Sequence, residues 1–410
     1  MKRVVLVLLV LLGVASGVTL AELASRFLVR SHSKSYMVPD PILHHRLRRS
    51  ITRRVLGVEF STNSLALRDR EYPVPRPEGV HRILMLGDSF TEGGGLALGE
   101  TVAKRVEAAL HSGKCAARYE VINAGVASYS PILEYLLLKR VGLQLQPDLI
   151  VLNFDMTDVH DDFIRTSHAR FDPNGLPLAV LPDRRVEAAL LLPPVPKPRF
   201  LRFLDPLEIY VNRLKIYHDF RQSKLGQRWF GNLNLTPEQL EERGLVGKLQ
   251  YDRMAITRDG DFPGLREAWA LTERYLVGIS TMARQRGIPF VLVVYPHAHQ
   301  VSATESPEGR RKFGIGPGVF LSERPFRILE DLGRREGFPV INLLRLFRER
   351  AAAEGPLFRR DDIHHTAQGA RLFAEGILTG LQERRLIPCA RVESTTLPPP
   401  RAPETNRVDR

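Results

Sequence analysis

Five short segments of this chain are almost unbroken runs of apolar residues: "RILMLG" at 82–87, "YEVINAG" at 119–125, "DLIVLNF" at 148–154, "PFVLVVYP" at 289–296 and "FPVINL" at 338–343. A half-exposed strand would alternate apolar and polar residues, whereas runs like these belong to strands covered on both faces. Between them the period changes. Val102, Val106, Ala109 and Leu110 recur at helical spacing, and residues 264–286 and 366–384 carry long amphipathic runs. Strands alternating with helices predict an α/β fold with a parallel sheet and right-handed crossovers.

About 130 residues between the third and fourth runs break this rhythm. They contain "DPNG" at 172–175, the proline-rich "LLPPVPKPRF" at 191–200 and a helical pattern over 203–222. The expectation is a large insertion at about 160–262, either a lid shaping substrate access or peripheral packing. At the N-terminus, Lys2 and Arg3 precede an uncharged stretch from Val4 to Ala21, close to bilayer length. Residues 1–25 are read as a signal-anchor or signal peptide, which predicts an extracytoplasmic, membrane-anchored or secreted protein. Residues 26–79, with His44, His45, Arg46, Arg48, Arg49, Arg53 and Arg54, are read as a basic linker and lead-in segment, and 391–410 as a disordered proline-rich tail. The main domain is expected over 80–390.

Length and composition agree with one large α/β domain: 410 residues, 43% hydrophobic and 26% charged. The net charge of +13 suits an anionic environment. Without zinc-finger spacing, an RNA-binding signature or a lysine run, no nucleic-acid partner is expected. Cys115 and Cys389 are compatible with a disulfide or with two free thiols, and cannot by themselves build a metal site.

The first apolar run stops at Gly87-Asp88-Ser89 and gives way to "FTEGGG". Ser89 thus follows the carboxyl end of a strand, where open α/β sheets form their ligand crevices. A serine nucleophile needs a histidine base, a carboxylate to steer it and donors for the oxyanion. "DDIHHTAQGARLFAEGI" offers these in two competing registers, Asp361 with His364 and Asp362 with His365, with Thr366 as N-cap of the helix that follows. His297 and His299 in "YPHAHQV" fall on the same rim but lack a third metal ligand at sensible spacing, so no role is assigned to them.

Gly87-Asp88-Ser89-Phe90, Asn123-Ala124-Gly125, the Asp158 region and Asp361-x-x-His364-x-Thr366-x-x-Gly369 together resemble the ordered blocks of the SGNH (GDSL) hydrolases, over residues 60–385. The lead-in "STNSLALRDREYP" resembles that of an exported, membrane-anchored branch. The resemblance implies a flavodoxin-like three-layer α/β/α sandwich and acyl-ester cleavage or transfer without metal or organic cofactor. It implies Ser89 as nucleophile, His364 as base, Asp361 as the carboxylate that fixes its tautomer, and oxyanion donors at Ser89, Gly125 and Thr157. Thr157 is the departure, since the family's third block carries asparagine there. The expected substrate is an acylated carbohydrate or lipid. Two alternatives stay open: an O-acyltransferase of extracellular polysaccharide, and a catalytically silent domain that binds a glycan or a partner protein.

Overall fold

The structure is a computed structural model and describes residues 36–112, 118–182, 252–261 and 263–387, with 13, 16, 17 and 19 near the N-terminus. The features below belong to one of the chain's two compact units, the one spanning 36–191 and 236–410. Most of the N-terminal apolar run, the 191–200 and 203–222 segments, both cysteines and the 391–410 tail lie outside the described residues. Among those described, no helix is long and apolar enough to cross a membrane.

The chain first makes two antiparallel hairpins, β1 (Met37–Asp40) with β2 (His44–Leu47), and β3 (Thr52–Val55) with β4 (Val58–Ser61). This corrects the reading of this stretch as a solvated linker. Arg49 and Arg54 are exposed and Arg46, Arg48 and Arg53 half-buried, while His44, Leu47 and Phe60 are buried. The hairpins therefore pack as part of the domain.

The sheet strands follow, alternating with helices. They are β5 (Val80–Gly87), α1 (Ser89–Glu92), α2 (Val102–Ser112), β6 (Arg118–Gly125), α3 (Pro131–Arg140), β7 (Leu149–Phe154) and α4 (Asp158–Thr166). A small hairpin, β8 (Ala169–Phe171) with β9 (Pro177–Val180), turns on residues 172–175. After the undescribed stretch come α5 (Leu265–Arg284), β10 (Phe290–Val294), α6 (Ala298–Val301), α7 (Pro307–Arg311), α8 (Arg324–Glu336), β11 (Val340–Asn342), α9 (Leu344–Ala351) and α10 (Ala367–Glu383).

Five parallel strands form one sheet in the order β11-β10-β7-β5-β6. Counted along the chain this is 2-1-3-4-5, the flavodoxin-like order. Both faces are covered, as the unbroken apolar runs required. Leu84, Leu86, Ile150, Leu152, Leu292 and Val294 face a core with α3, α5 and α8. Ile83, Met85, Val151, Val291 and Val293 face the opposite core with α2, α9 and α10. The result is a three-layer α/β/α sandwich. The strand order reverses at β5, so the crevice opens outside the carboxyl ends of β5 and its neighbours.

Candidate active site

Ser89 begins α1 immediately beyond β5, and the turn that delivers it depends on Gly87. That residue has φ +154°, and a Cβ there would collide with Thr91. Asp88 caps the helix by accepting from the Phe90 amide at 2.9 Å. The Ser89 hydroxyl is left facing His364, with Oγ 2.7 Å from Nε2.

His364 comes from the loop before α10, whose N-cap Thr366 accepts from the Gly369 amide at 3.1 Å. Its other nitrogen, Nδ1, lies 3.0 Å from Asp362 Oδ1. The carboxylate beside the histidine is therefore Asp362, two residues before it, and not Asp361. The Asp361 side chain is 62% exposed and lies 3.6 Å from Arg359. Neither sequence register has this pairing. A tight turn, with the Arg359 amide donating to the His364 carbonyl at 2.8 Å, swings Asp361 outward and Asp362 inward. Burial raises the Asp362 carboxyl, but His364, the Ile363 amide and Arg359 overcome it and hold the pKa at about 2. Burial opposes charge on His364, yet Asp362, with Asp88 and Asp155 behind it, raises its pKa above the ordinary value.

His365 does different work. It is buried among the rings of Phe90, Tyr295, Phe347, Phe358 and Phe373, at centroid distances of 4.9–5.9 Å. Its ring nitrogens have no partner among the described residues, and burial holds it neutral. His365→Phe should therefore stabilise the protein by about 1 kcal/mol, because removing two unpaired buried polar atoms outweighs fitting a somewhat larger ring. Activity should persist. Denaturant melts and ester turnover on the same variant check both expectations, and loss of turnover with the fold intact would give His365 a part in the chemistry.

The oxyanion donors implied by the resemblance are not assembled as expected. The Ser89 amide stands in the first turn of α1, where helix amides lack intrahelical partners. The Gly125 amide, however, donates to Asn123 Oδ1 at 3.0 Å. What requires glycine at 125 is close packing, since a Cβ would collide with the α1 backbone at Thr91 and Glu92. Thr157 is buried, and its hydroxyl and amide both donate to Asp155 Oδ1, at 2.6 and 2.8 Å. Asn153 also turns away, donating to Thr91 at 2.9 Å.

Asp155 is the centre that sequence reasoning missed. It accepts from Tyr295 at 2.9 Å and pairs with His297 Nε2 at 2.6 Å. Burial pushes its carboxyl up, but His297 and Thr157 hold it well below the usual range. Tyr295 also reaches Asp88, at 3.2 Å. Burial and the Asp155 charge raise Asp88 to about 8. The signal in the sequence was "YPHAHQV" at a strand end: His297 belongs to this network, while His299 is buried against Thr257 at 2.9 Å. Among the described residues no group of histidines, cysteines and carboxylates is arranged to hold a metal ion.

No family model matches the chain. No curated protein matches it either. Among solved structures it is similar to Axe2, an acetylxylan esterase from Geobacillus stearothermophilus, at 12% identity and TM-score 0.37, covering 73% of this chain and 94% of that one. It is also similar to TesA, at 12% identity and TM-score 0.36, covering 74% and 99%. A third is a GDSL-like lipase from Bacteroides thetaiotaomicron, at 12% identity and TM-score 0.34, covering 77% and 93%. In this structure the serine follows the first sheet strand, the glycine ends the second, and the histidine precedes the last helix. The chain has a flavodoxin-like three-layer α/β/α fold.

Proposed function

We propose that this protein is a serine-dependent acyl-ester hydrolase. The observation that carries the reading is the Ser89 Oγ to His364 Nε2 distance of 2.7 Å, with Asp362 Oδ1 3.0 Å from Nδ1. In this reading Ser89 attacks the ester carbonyl while His364 takes its proton. Asp362 holds the Nδ1–H tautomer and stabilises the imidazolium that forms. The Ser89 amide donates to the oxyanion. His364 then gives its proton to the departing alcohol, leaving an acyl-serine. Water completes hydrolysis, and an acceptor hydroxyl would complete transfer by the same steps.

The test is a fluorophosphonate label together with turnover of a p-nitrophenyl acyl ester. Labelling at Ser89 with measurable turnover is expected, and absence of both would overturn the reading. A second reading, a catalytically silent domain that binds a glycan or a partner protein, is favoured by Gly125 and Thr157, whose donors are both committed elsewhere. Removing one oxyanion donor typically costs about 10²–10³ in turnover. Low but serine-dependent turnover fits the enzyme, and none fits the silent domain.

We also propose export through the N-terminal apolar run, with an acylated glycan or lipid of the cell envelope as substrate. The support is Lys2 and Arg3 ahead of the uncharged Val4–Ala21 stretch. Fusing residues 1–40 to a reporter that works only outside the cytoplasm should give activity. A silent external reporter beside an active cytoplasmic one would refute export.

A further inference from the structure

We propose that Arg68 is a positioning residue for the nucleophile, its guanidinium holding the loop behind Ser89 so that the serine stays in register with His364. The proposal rests on the reading of Ser89 as nucleophile. It gives a task to the lead-in "STNSLALRDREYP", which the site described above does not use.

Arg68 is fully buried. Its Nη1 donates to the carbonyls of Glu92 at 2.9 Å and Gly93 at 2.6 Å, and its Nη2 to that of Leu96. The first two are the carbonyls at which α1 ends. A single-turn helix leaves its last carbonyls without intrahelical partners. A cation is the favoured group at that end. The planar fork of arginine can serve several carbonyls at once, whereas an ammonium is a point charge. Phe60 of β4 supports the guanidinium from below, at 4.7 Å from its ring centroid.

The held segment touches the chemistry directly. The Gly93 and Gly94 amides both donate to the Ser89 carbonyl, at 2.9 and 3.1 Å. A Cβ at Gly94 would stand 3.8 Å from His364 Nε2. Glu92 adds a second tie, its Oε2 accepting from the Ala127 amide beyond β6 at 2.8 Å. The lead-in is anchored in turn. The Asp69 carboxylate accepts from the Asn123 amide at 2.8 Å and pairs with Lys104 at 2.8 Å. Arg68 therefore enters from a fixed base, and losing its fork would free the segment whose amides hold the Ser89 carbonyl and which runs beside the His364 ring.

Misplacement by about 1 Å can cost on the order of 10²-fold in rate. The test uses Arg68→Lys and Arg68→Ala in the full chain, with ester turnover expressed per serine titrated by fluorophosphonate. Arg68→Lys is expected to lower kcat per titrated site about 10–100-fold with KM almost unchanged. Methylguanidine at millimolar concentration should restore part of the rate to Arg68→Ala. A merely structural arginine would reduce the fraction of protein that titrates but leave the rate per site intact. A wild-type kcat per site in Arg68→Lys, or a loss confined to KM, would overturn the proposal. If the alanine variant does not fold, the lysine variant decides. Failure of the nucleophile reading is distinguishable, because the wild-type protein would then not titrate at all.

Discussion

Ser89→Ala should reduce ester turnover to the uncatalysed background and abolish fluorophosphonate labelling, while the thermal unfolding midpoint stays within about 2 °C of wild type. Asp88 caps α1 through the Phe90 amide, not through Ser89, and the turn is made by Gly87. Removing Oγ deletes its hydrogen bond to His364 and a longer one, at 3.3 Å, to Asp88 Oδ2, but leaves the Asp88 Oδ1 cap and the Gly87 turn in place. Removing the nucleophile of a triad leaves only what binding and oxyanion contacts supply, and here those contacts are few. The loss should therefore be closer to complete than in a site with all its donors. Substantial turnover in this variant, with the fold intact, would move the nucleophile elsewhere.

The parts of this molecule that sequence made legible are those fixed by burial. Each of the five apolar runs is a strand of the sheet, because residues such as Leu84, Val151 and Val293 must be covered from both sides wherever they pair. The two ends of α10 were legible for a similar reason, with Thr366 capping the first turn. The parts that stayed hidden are those fixed by a choice between neighbours. Asp361 and Asp362 are chemically identical and adjacent, and only the turn made by Arg359 and His364 decides which one faces inward. Thr157 could be aligned to a donor position, but its hydroxyl follows a buried acceptor, Asp155, whose importance depends on a histidine some 140 residues away. The β1–β4 stretch was concealed by its run of arginines, among which only a few apolar residues, Leu43, Leu47 and Phe60, are buried.

Asp362→Asn should lower turnover by about 10³–10⁴, whereas Asp361→Asn should stay within a few-fold of wild type. An amide at 362 can offer its N–H₂ to Nδ1 and so favour the tautomer that carries its proton on Nε2, which cannot accept from Ser89. The pH dependence separates this from simple misfolding. A base must be neutral to act, so turnover should rise with pH through the pKa of His364, which lies above its ordinary value in the native site. Asp362, at about 2, remains ionised across that whole range and is the main group raising His364. Removing its charge leaves burial to act against the imidazolium, so the acid limb of the residual activity should move to lower pH. Asp361→Asn should leave the limb where it is, since that carboxylate is mostly exposed and faces Arg359. A large loss in Asp361→Asn, with Asp362→Asn near wild type and its acid limb unmoved, would mean that the working carboxylate is Asp361 and that the turn rearranges when substrate binds.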